Sequence, residues 1–349
     1  NDFQKLNAGG DHRANFTNAR AAYAYVKDVM RLDFASSSEH DVRLFNEAAW
    51  TESRQITTDF YEPNHFTTFF AYEWTPGFNH HIVIYNEHDT EVFHWEHSQS
   101  LPELWDKLEK QGKPAITIPH ITWQFEDHIA WEHLNNKFRR IGEIYSLWNS
   151  RFLTLPDDQP QRFELGTENK WSYQHAWANG HKVGLIGSTD NHLGHPGANN
   201  YSIYTFHTGG LAAVIANKNT REDLWEGMHD RRTYGTTGTK IYVDFQINDH
   251  PMGIEFETDS PPILSAKVAG TNDLKTVEIV KYSNGNYRTI YKENPNGPIA
   301  QFSTRDETFK SNSFYYLRVT QMEEYPGRPY SHSTSDMAWS SPIWVNYKD

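Results

Sequence analysis

Five polar residues of this 349-residue chain stand where short apolar runs end, and all five are of types that ligate divalent metals. His40 follows the run Asp33-Phe34-Ala35-Ser36-Ser37. Glu73 stands near the end of the aromatic run Phe66–Trp74, His120 directly after Ala115–Pro119, and Asp190 and His192 just after Val183–Ser188. If these runs are strands, each delivers its side chain at a strand end. In a parallel α/β barrel that is where catalytic groups sit. Asp190 and His192 are two apart, so an extended chain points both to one side. Nitrogen and oxygen donors of this kind suit Zn, Mn or Fe. The chain carries 19 histidines, and histidine is a common metal ligand. Taken singly, each of these residues reads equally well as an ordinary loop position. The set of strand ends carries the argument.

The elements needed to position them are legible. Thr17 or Asn18 can cap a helix through Leu32, with Ala22, Tyr25, Val26 and Met30 on one face. Further strands are predicted at His81–Tyr85, Ile141–Trp148 and Tyr201–His207. Helices are predicted at Leu101–Lys110, between Ser100-Pro102 and Gly112, and at Trp171–Asn179, before Gly180. Helix and strand in alternation imply a parallel sheet or barrel. After Gly238 only strands are predicted: Ile241–Ile247, Ile263–Val268, Thr276–Tyr282, Tyr287–Tyr291, Ser313–Thr320 and Ser341–Val345. Turn signals Asn284-Gly285 and Asn296-Gly297 lie between them. The expected organisation is α/β, a barrel over residues 1–239 followed by an all-β, sandwich-like module over 240–349.

Composition excludes several classes. A content of 37% hydrophobic and 15% aromatic residues is enough for a sizeable core. A formal charge of −13 argues against nucleic acid as a partner. The apolar runs are far shorter than the roughly 20 residues of a membrane span. The absence of cysteine removes disulfides, thiolate metal sites and cysteine nucleophiles, and fits any compartment. No Gly-x-Ser-x-Gly elbow and no phosphate-binding glycine fingerprint occurs.

The ordered set of motifs resembles the PHP superfamily of metal-dependent phosphoesterases, named for polymerase and histidinol phosphatase. It is most similar to a bacterial branch long described as a domain of unknown function. The motifs are Ser38-Glu39-His40-Asp41, Ala71-Tyr72-Glu73-Trp74-Thr75, His80-His81-Ile82-Val83, Ile118-Pro119-His120, Gly187-Ser188-Thr189-Asp190-Asn191-His192, Arg231-Arg232-Thr233-Tyr234-Gly235-Thr236-Thr237-Gly238 and Ser340-Ser341-Pro342-Ile343-Trp344-Val345. They span nearly the whole chain. The resemblance implies a distorted β/α barrel holding two or three divalent ions (Zn, Mn or Fe). It implies His40, Glu73, His81, His120, Asp190 and His192 as ligands, with Glu73 bridging. Glu73, Asp190 and His195 would carry catalysis, although His195 reads equally as a loop residue before Pro196. His81 is preferred to His80 because it abuts the strand Ile82-Val83. His80 is the alternative ligand, or else a contact to a ligand or to the substrate. The substrate would be a small anion, a phosphoester, cleaved by metal-activated water. Arg231, Arg232 or Lys240 would hold it, unless the two arginines cap the helix Arg221–Asp230.

One feature departs from the superfamily: its opening His-x-His is absent, since no two histidines here are two apart. Asp11-His12 is only a faint echo of the position that follows that motif. Two readings follow: an upstream segment carries the first strand and its His-x-His, or the chain is a degenerate relative with part of its metal site lost. A binding protein is the rival from another class, its ligand held by the β module and by an aromatic surface including Trp123, Trp131 and Trp148. A metal hydrolase acting on a bond other than a phosphoester is the third reading.

Overall fold

The computed structural model describes residues 19–44, 46–76, 79–120, 131–146, 170–190, 194–198, 209–322 and 335–348. His192, Trp123, Trp148, Asp11-His12, the cap at Thr17 or Asn18 and the strand at Tyr201–His207 lie outside the described residues. The fold is mixed α/β and mostly sheet. No described helix is long and apolar enough to cross a membrane.

The chain enters through α1 (Ala19–Ala24), which widens into a π-type turn at Tyr25–Val29 and buries Tyr23 and Val26. β1 (Phe34–Ser36) then pairs in parallel with β2 (Thr67–Trp74), and α2 (Asp41–Leu44) and α3 (Glu47–Asp59) lie between them in sequence. β3 (His81–Tyr85) and β4 (Ala115–Pro119) complete a four-stranded sheet in the order β1-β2-β3-β4. α4 (Leu101–Gln111) ends as its sequence says it should. The Ser100 hydroxyl accepts from the Glu103 N–H at its start, and Gly112 closes it at φ 70°. β5 (Ile141–Tyr145) and β6 (Gly184–Gly187) form a parallel pair, with α5 (Tyr173–Ala178) between them in the chain. β7 (Leu211–Val214), α6 (Arg221–His229) and β8 (Thr233–Thr236) follow.

Two expectations are corrected here. β2, β3 and β4 are antiparallel, not parallel. Only residues 75–80 separate β2 from β3, too few for the crossover of a dozen or so residues that a parallel pair needs. The described strands therefore fall into separate sheets, and their hydrogen-bonded ladders do not close into a ring.

The second correction concerns the division at residue 239. The C-terminal strands are β9 (Tyr242–Ile247), β10 (His250–Pro251), β11 (Glu255–Thr258), β12 (Ile263–Ala269), β13 (Leu274–Ser283), β14 (Asn286–Glu293), β15 (Ile299–Arg305), β16 (Ser313–Met322), β17 (Ser335–Ser340) and β18 (Ile343–Tyr347). One sheet, ordered β10-β9-β12-β15, packs on a larger one through Val243, Phe245, Leu264, Ile279, Leu317 and Val319. The β13–β14 hairpin turns at Asn284 and Gly285 with φ of 49° and 82°, the left-handed pair that such a turn requires. The larger sheet runs β11-β18-β16-β17-β8-β7. It thus takes in β7 and β8 from before residue 239, and its other face is covered by Tyr173, Trp177 and Leu185. The β module is not a separate body, because its main sheet and its second core both need residues from the first part of the chain.

His181 sits in that second region, 3% exposed, with Nε2 donating to the Trp131 carbonyl at 3.0 Å. Burial, reinforced by Arg139, lowers its pKa to about 4. An unfolded histidine titrates near 6.5, so between these values the unfolded state binds the extra proton. Stability is therefore expected to fall as pH drops from 6.5 toward 4, by on the order of 3 kcal/mol from this residue. Urea titrations at pH 7.5 and 5 check this, and His181→Gln should shrink the difference.

Candidate functional site

Four strand ends meet at the mouth of one cavity of about 990 Å³, whose lining includes His40, Glu73, His120, Glu143, Ser188 and Asp190. Its walls are apolar, with Ile82, Ile84, Ile118, Ile141 and Ile186 contributed by β3 to β6. The polar groups form two clusters.

The first is centred on Glu73. Its N–H donates to the Glu39 carbonyl at 2.9 Å, a bridge that sets His40 alongside it. His80 Nδ1 lies 2.8 Å from Glu73 Oε1, and His40 Nε2 lies 3.5 Å from Oε2. Burial alone would raise the pKa of Glu73. The hydrogen bond from His80 and the charges of His40, His120 and His80 outweigh it and bring the carboxyl down to about 2.

The second cluster is centred on His120. Its Nδ1 lies 3.0 Å from Glu143 Oε1 and its Nε2 lies 3.2 Å from Asp190 Oδ2. Ser188 donates to the other Glu143 oxygen. Burial disfavours charge on this ring, but the two carboxylates prevail and raise its pKa well above the usual value. Asp190 adopts φ 48°, a left-handed conformation that Asp tolerates better than most residues. The clusters touch through the main chain, where the His120 N–H donates to the His80 carbonyl at 3.1 Å.

Of the residues singled out from sequence, the structure brings together His40, Glu73, His80, His120 and Asp190. His81 is corrected. In the β2–β3 ladder Glu73 faces Ile82 and Trp74 faces His81. Successive residues of a strand point to opposite faces, so His81 points away from the cavity. It is fully buried beside Trp74, with Nε2 3.3 Å from Arg139, and burial together with the Arg139 charge pushes its pKa down.

Arg231 and Arg232 are corrected as well. Arg231 is buried at the seam with the β module, where its Nε donates to the Gly253 carbonyl at 3.0 Å and its guanidinium lies over Trp344. Arg232 pairs with the side chains of Glu226 and Asp230 at the end of α6. Neither is among the lining residues, whereas Lys240 is. The His195 ring packs edge-on against Tyr25 at 4.9 Å, and it too is absent from the lining. Trp131 is core, 5% exposed, rather than part of an aromatic surface.

Glu143 is the site residue that sequence reasoning missed. The signal was there: one carboxylate in the strand Ile141-Gly142-Glu143-Ile144-Tyr145, on the same side as Ile141. The strand is held from behind by Tyr173, whose hydroxyl donates to the Glu143 carbonyl at 2.8 Å. A Cβ on Gly142 would meet that hydroxyl at 2.5 Å and the ring Cε1 at 2.8 Å. Gly142→Ala is expected to cost about 2–3 kcal/mol by forcing β5 off Tyr173. Thermal unfolding measures this directly.

Among the described residues no three of these groups close round a common point as a preformed ion site would. The histidine–carboxylate pairs stand at hydrogen-bond and ion-pair distances, and two of the four also fall within the spacing of two ligands on one ion. Two ligands each about 2.1 Å from one ion stand roughly 3.0–3.4 Å apart. The histidine–carboxylate pairs here stand 2.8, 3.0, 3.2 and 3.5 Å apart.

The family described as "Protein of unknown function (DUF3604)" matches residues 2–124 and 198–250, about half of the chain. The chain belongs to this family. An uncharacterized protein of Chlamydia pneumoniae is 31% identical over 357 residues, covering 94% of this chain and 54% of that protein. An uncharacterized protein of Chlamydia muridarum is 28% identical over 358 residues, covering 94% of this chain and 55% of its own length. The chain thus spans about half the length of the curated relatives it matches. No solved structure matches it. Within the DUF3604 match lie His40, Glu73, His80 and His120, and Glu143 and Asp190 fall between its two matched stretches.

Proposed function

We propose that this DUF3604 member is a metal-dependent hydrolase, a phosphoesterase of the PHP type, with two or three Zn, Mn or Fe ions held at the ends of a distorted β/α barrel. The observation that carries the reading is the convergence of His40, Glu73, His120 and Asp190 from separate strand ends on one cavity, with His80 bonded to Glu73 from outside its lining. Glu73, with one oxygen toward each of two imidazoles, is the group suited to bridging. When bound, such ions lower the pKa of water and draw charge off the ester. Glu143 fixes the His120 ring through Nδ1 and leaves Nε2 directed at Asp190 and the cavity. Lys240, in the cavity lining, offers a point charge to the substrate anion.

The barrel belongs to this proposal. Residues 33–37 and 210–216 line the cavity without interruption, so the main-chain edges of β1 and β7 border it. Among the described residues each of those strands pairs on one edge only, β1 with β2 and β7 with β8. A further strand carrying His-x-His fits between them. It would use those free donors and acceptors and bring two more imidazoles to Glu73.

Metal analysis of the purified protein, with p-nitrophenyl phosphate hydrolysis before and after chelation, tests the reading. At least one ion per chain and phosphate release that is lost on chelation are expected. Metal-free protein, or hydrolysis indifferent to chelator, would sink it. Cleavage of p-nitrophenyl acetate alone would move the activity to another bond. One observation favours a second reading, a binding relative with a degenerate metal site. His120 already has a carboxylate beside each nitrogen, Glu143 hydrogen-bonded at Nδ1 and Asp190 at ion-pair distance from Nε2. Absence of bound metal supports that alternative.

A further inference from the structure

Asp41 is fully buried one residue beyond His40. Its carboxylate divides between two directions. Oδ1 accepts from the Thr75 hydroxyl at 2.6 Å and from the Val42 N–H at 2.9 Å, while Oδ2 accepts from the Trp95 N–H at 2.7 Å. Three segments meet on it: the turn that carries His40, the end of β2 two residues past Glu73, and the short helical turn Trp95–His97 in the loop between β3 and α4. No Lys, Arg or His forms an ion pair with it among the described residues, and His94 acts on it only through its charge at longer range, so burying this group costs free energy that is returned only in part. An apolar residue would pack there more cheaply. What an apolar residue cannot do is accept hydrogen bonds from two elements at once.

We propose that Asp41 is a positioning residue that locks His40 against Glu73 by tying the end of β2 and the Trp95 loop to opposite oxygens of one carboxylate. The metal part of its test rests on the function proposed above, while the placement of His40 does not. Asparagine cannot substitute, because it has one acceptor oxygen, and its NH2 would face either the Trp95 N–H or the Thr75 and Val42 donors. Thr75→Ser keeps the hydroxyl and Thr75→Val removes it.

The test has two parts. In metal-free protein, the His40 ring signals are followed by NMR in wild type, Asp41→Asn, Thr75→Val and Thr75→Ser. Shifted or broadened His40 signals are expected in the first two variants and wild-type signals in the third. Unchanged His40 signals in both Asp41→Asn and Thr75→Val overturn the proposal whatever the protein binds. In protein titrated with Mn²⁺, Asp41→Asn is expected to weaken binding about 10–100-fold and to lower kcat for p-nitrophenyl phosphate with little change in KM. Asp41→Asn combined with Thr75→Val should do no more than Asp41→Asn alone, since both cut one link. Full additivity of the two substitutions also overturns it. A wild type that binds no Mn²⁺ and releases no phosphate refutes the hydrolase reading instead, and the NMR series then decides the role of Asp41 by itself. Should Asp41→Asn fail to fold, the pair Thr75→Val and Thr75→Ser carries the same comparison.

Discussion

Glu73→Gln is expected to abolish phosphate release, by roughly a thousandfold or ~4 kcal/mol of transition-state stabilisation. Under the proposed function it should also remove most of the metal-binding capacity. The substitution is nearly isosteric, so the strand is not disturbed, and Glu73 sits at the end of β2 with its N–H still bonded to Glu39. What changes is charge and acceptor count. The carboxylate presents one oxygen to His80 and the other toward His40. An amide replaces one of them with a donor and removes the negative charge on which two imidazoles and any cation depend. Metal content and turnover should therefore fall together while the far-ultraviolet circular dichroism stays that of the wild type. Retained turnover in a well-folded variant would exclude Glu73 from the reaction.

Gly253→Ala is expected to destabilise the protein by more than about 4 kcal/mol and to leave most of it insoluble. Gly253 has φ 92°, and a Cβ there would lie 2.4 Å from the main-chain carbonyl carbon and oxygen of Arg231 and 2.4 Å from the Asp230 oxygen. Those are backbone atoms at the end of α6 and cannot swing aside like a side-chain tip. Arg231 is itself left-handed at φ 62° and donates to the Gly253 carbonyl, so the two residues are interlocked. Expression yield and urea unfolding measure the loss. A variant within 1 kcal/mol of wild type would show that this contact is looser than its geometry indicates.

The sequence announced its strand ends well and its facings poorly. His40, Glu73, His120 and Asp190 could be found because each closes a short apolar run, and a strand end is a property of local sequence. Choosing between His80 and His81 needed the register of β3 against β2, which is set by pairing and not by either residue. That register places Ile82 opposite Glu73 and turns His81 into the core beside Arg139. Glu143 escaped notice because its strand was read as a continuous element rather than face by face. Its alternation with Ile141 carried the information. The arginine pair misled because Arg231 answers a carbonyl at the seam that no local stretch reveals, while Arg232 answers two carboxylates close by at the end of α6. The antiparallel pairing of β2 with β3 was legible in the short link 75–80, whereas that of β3 with β4, across residues 86–114 and a helix, was not. The sharing of one sheet across residue 239 was not, since β8 finds β17 roughly a hundred residues later, with Thr236 opposite Ala338.

That shared sheet limits how the protein can move. The β8–β17 ladder is built from main-chain hydrogen bonds, and Trp177, Phe314, Tyr316 and Trp339 fill the space behind it. Tyr242, Asp244 and Gln246 of β9 line the same cavity as His120 and Asp190. The cavity is therefore framed by parts that cannot swing apart without tearing the ladder and exposing four large aromatic side chains. On the side of β8 and β9 its wall is fixed when the chain folds. Severing the chain after residue 239 would not free two working pieces, because each would take away an edge that the other needs.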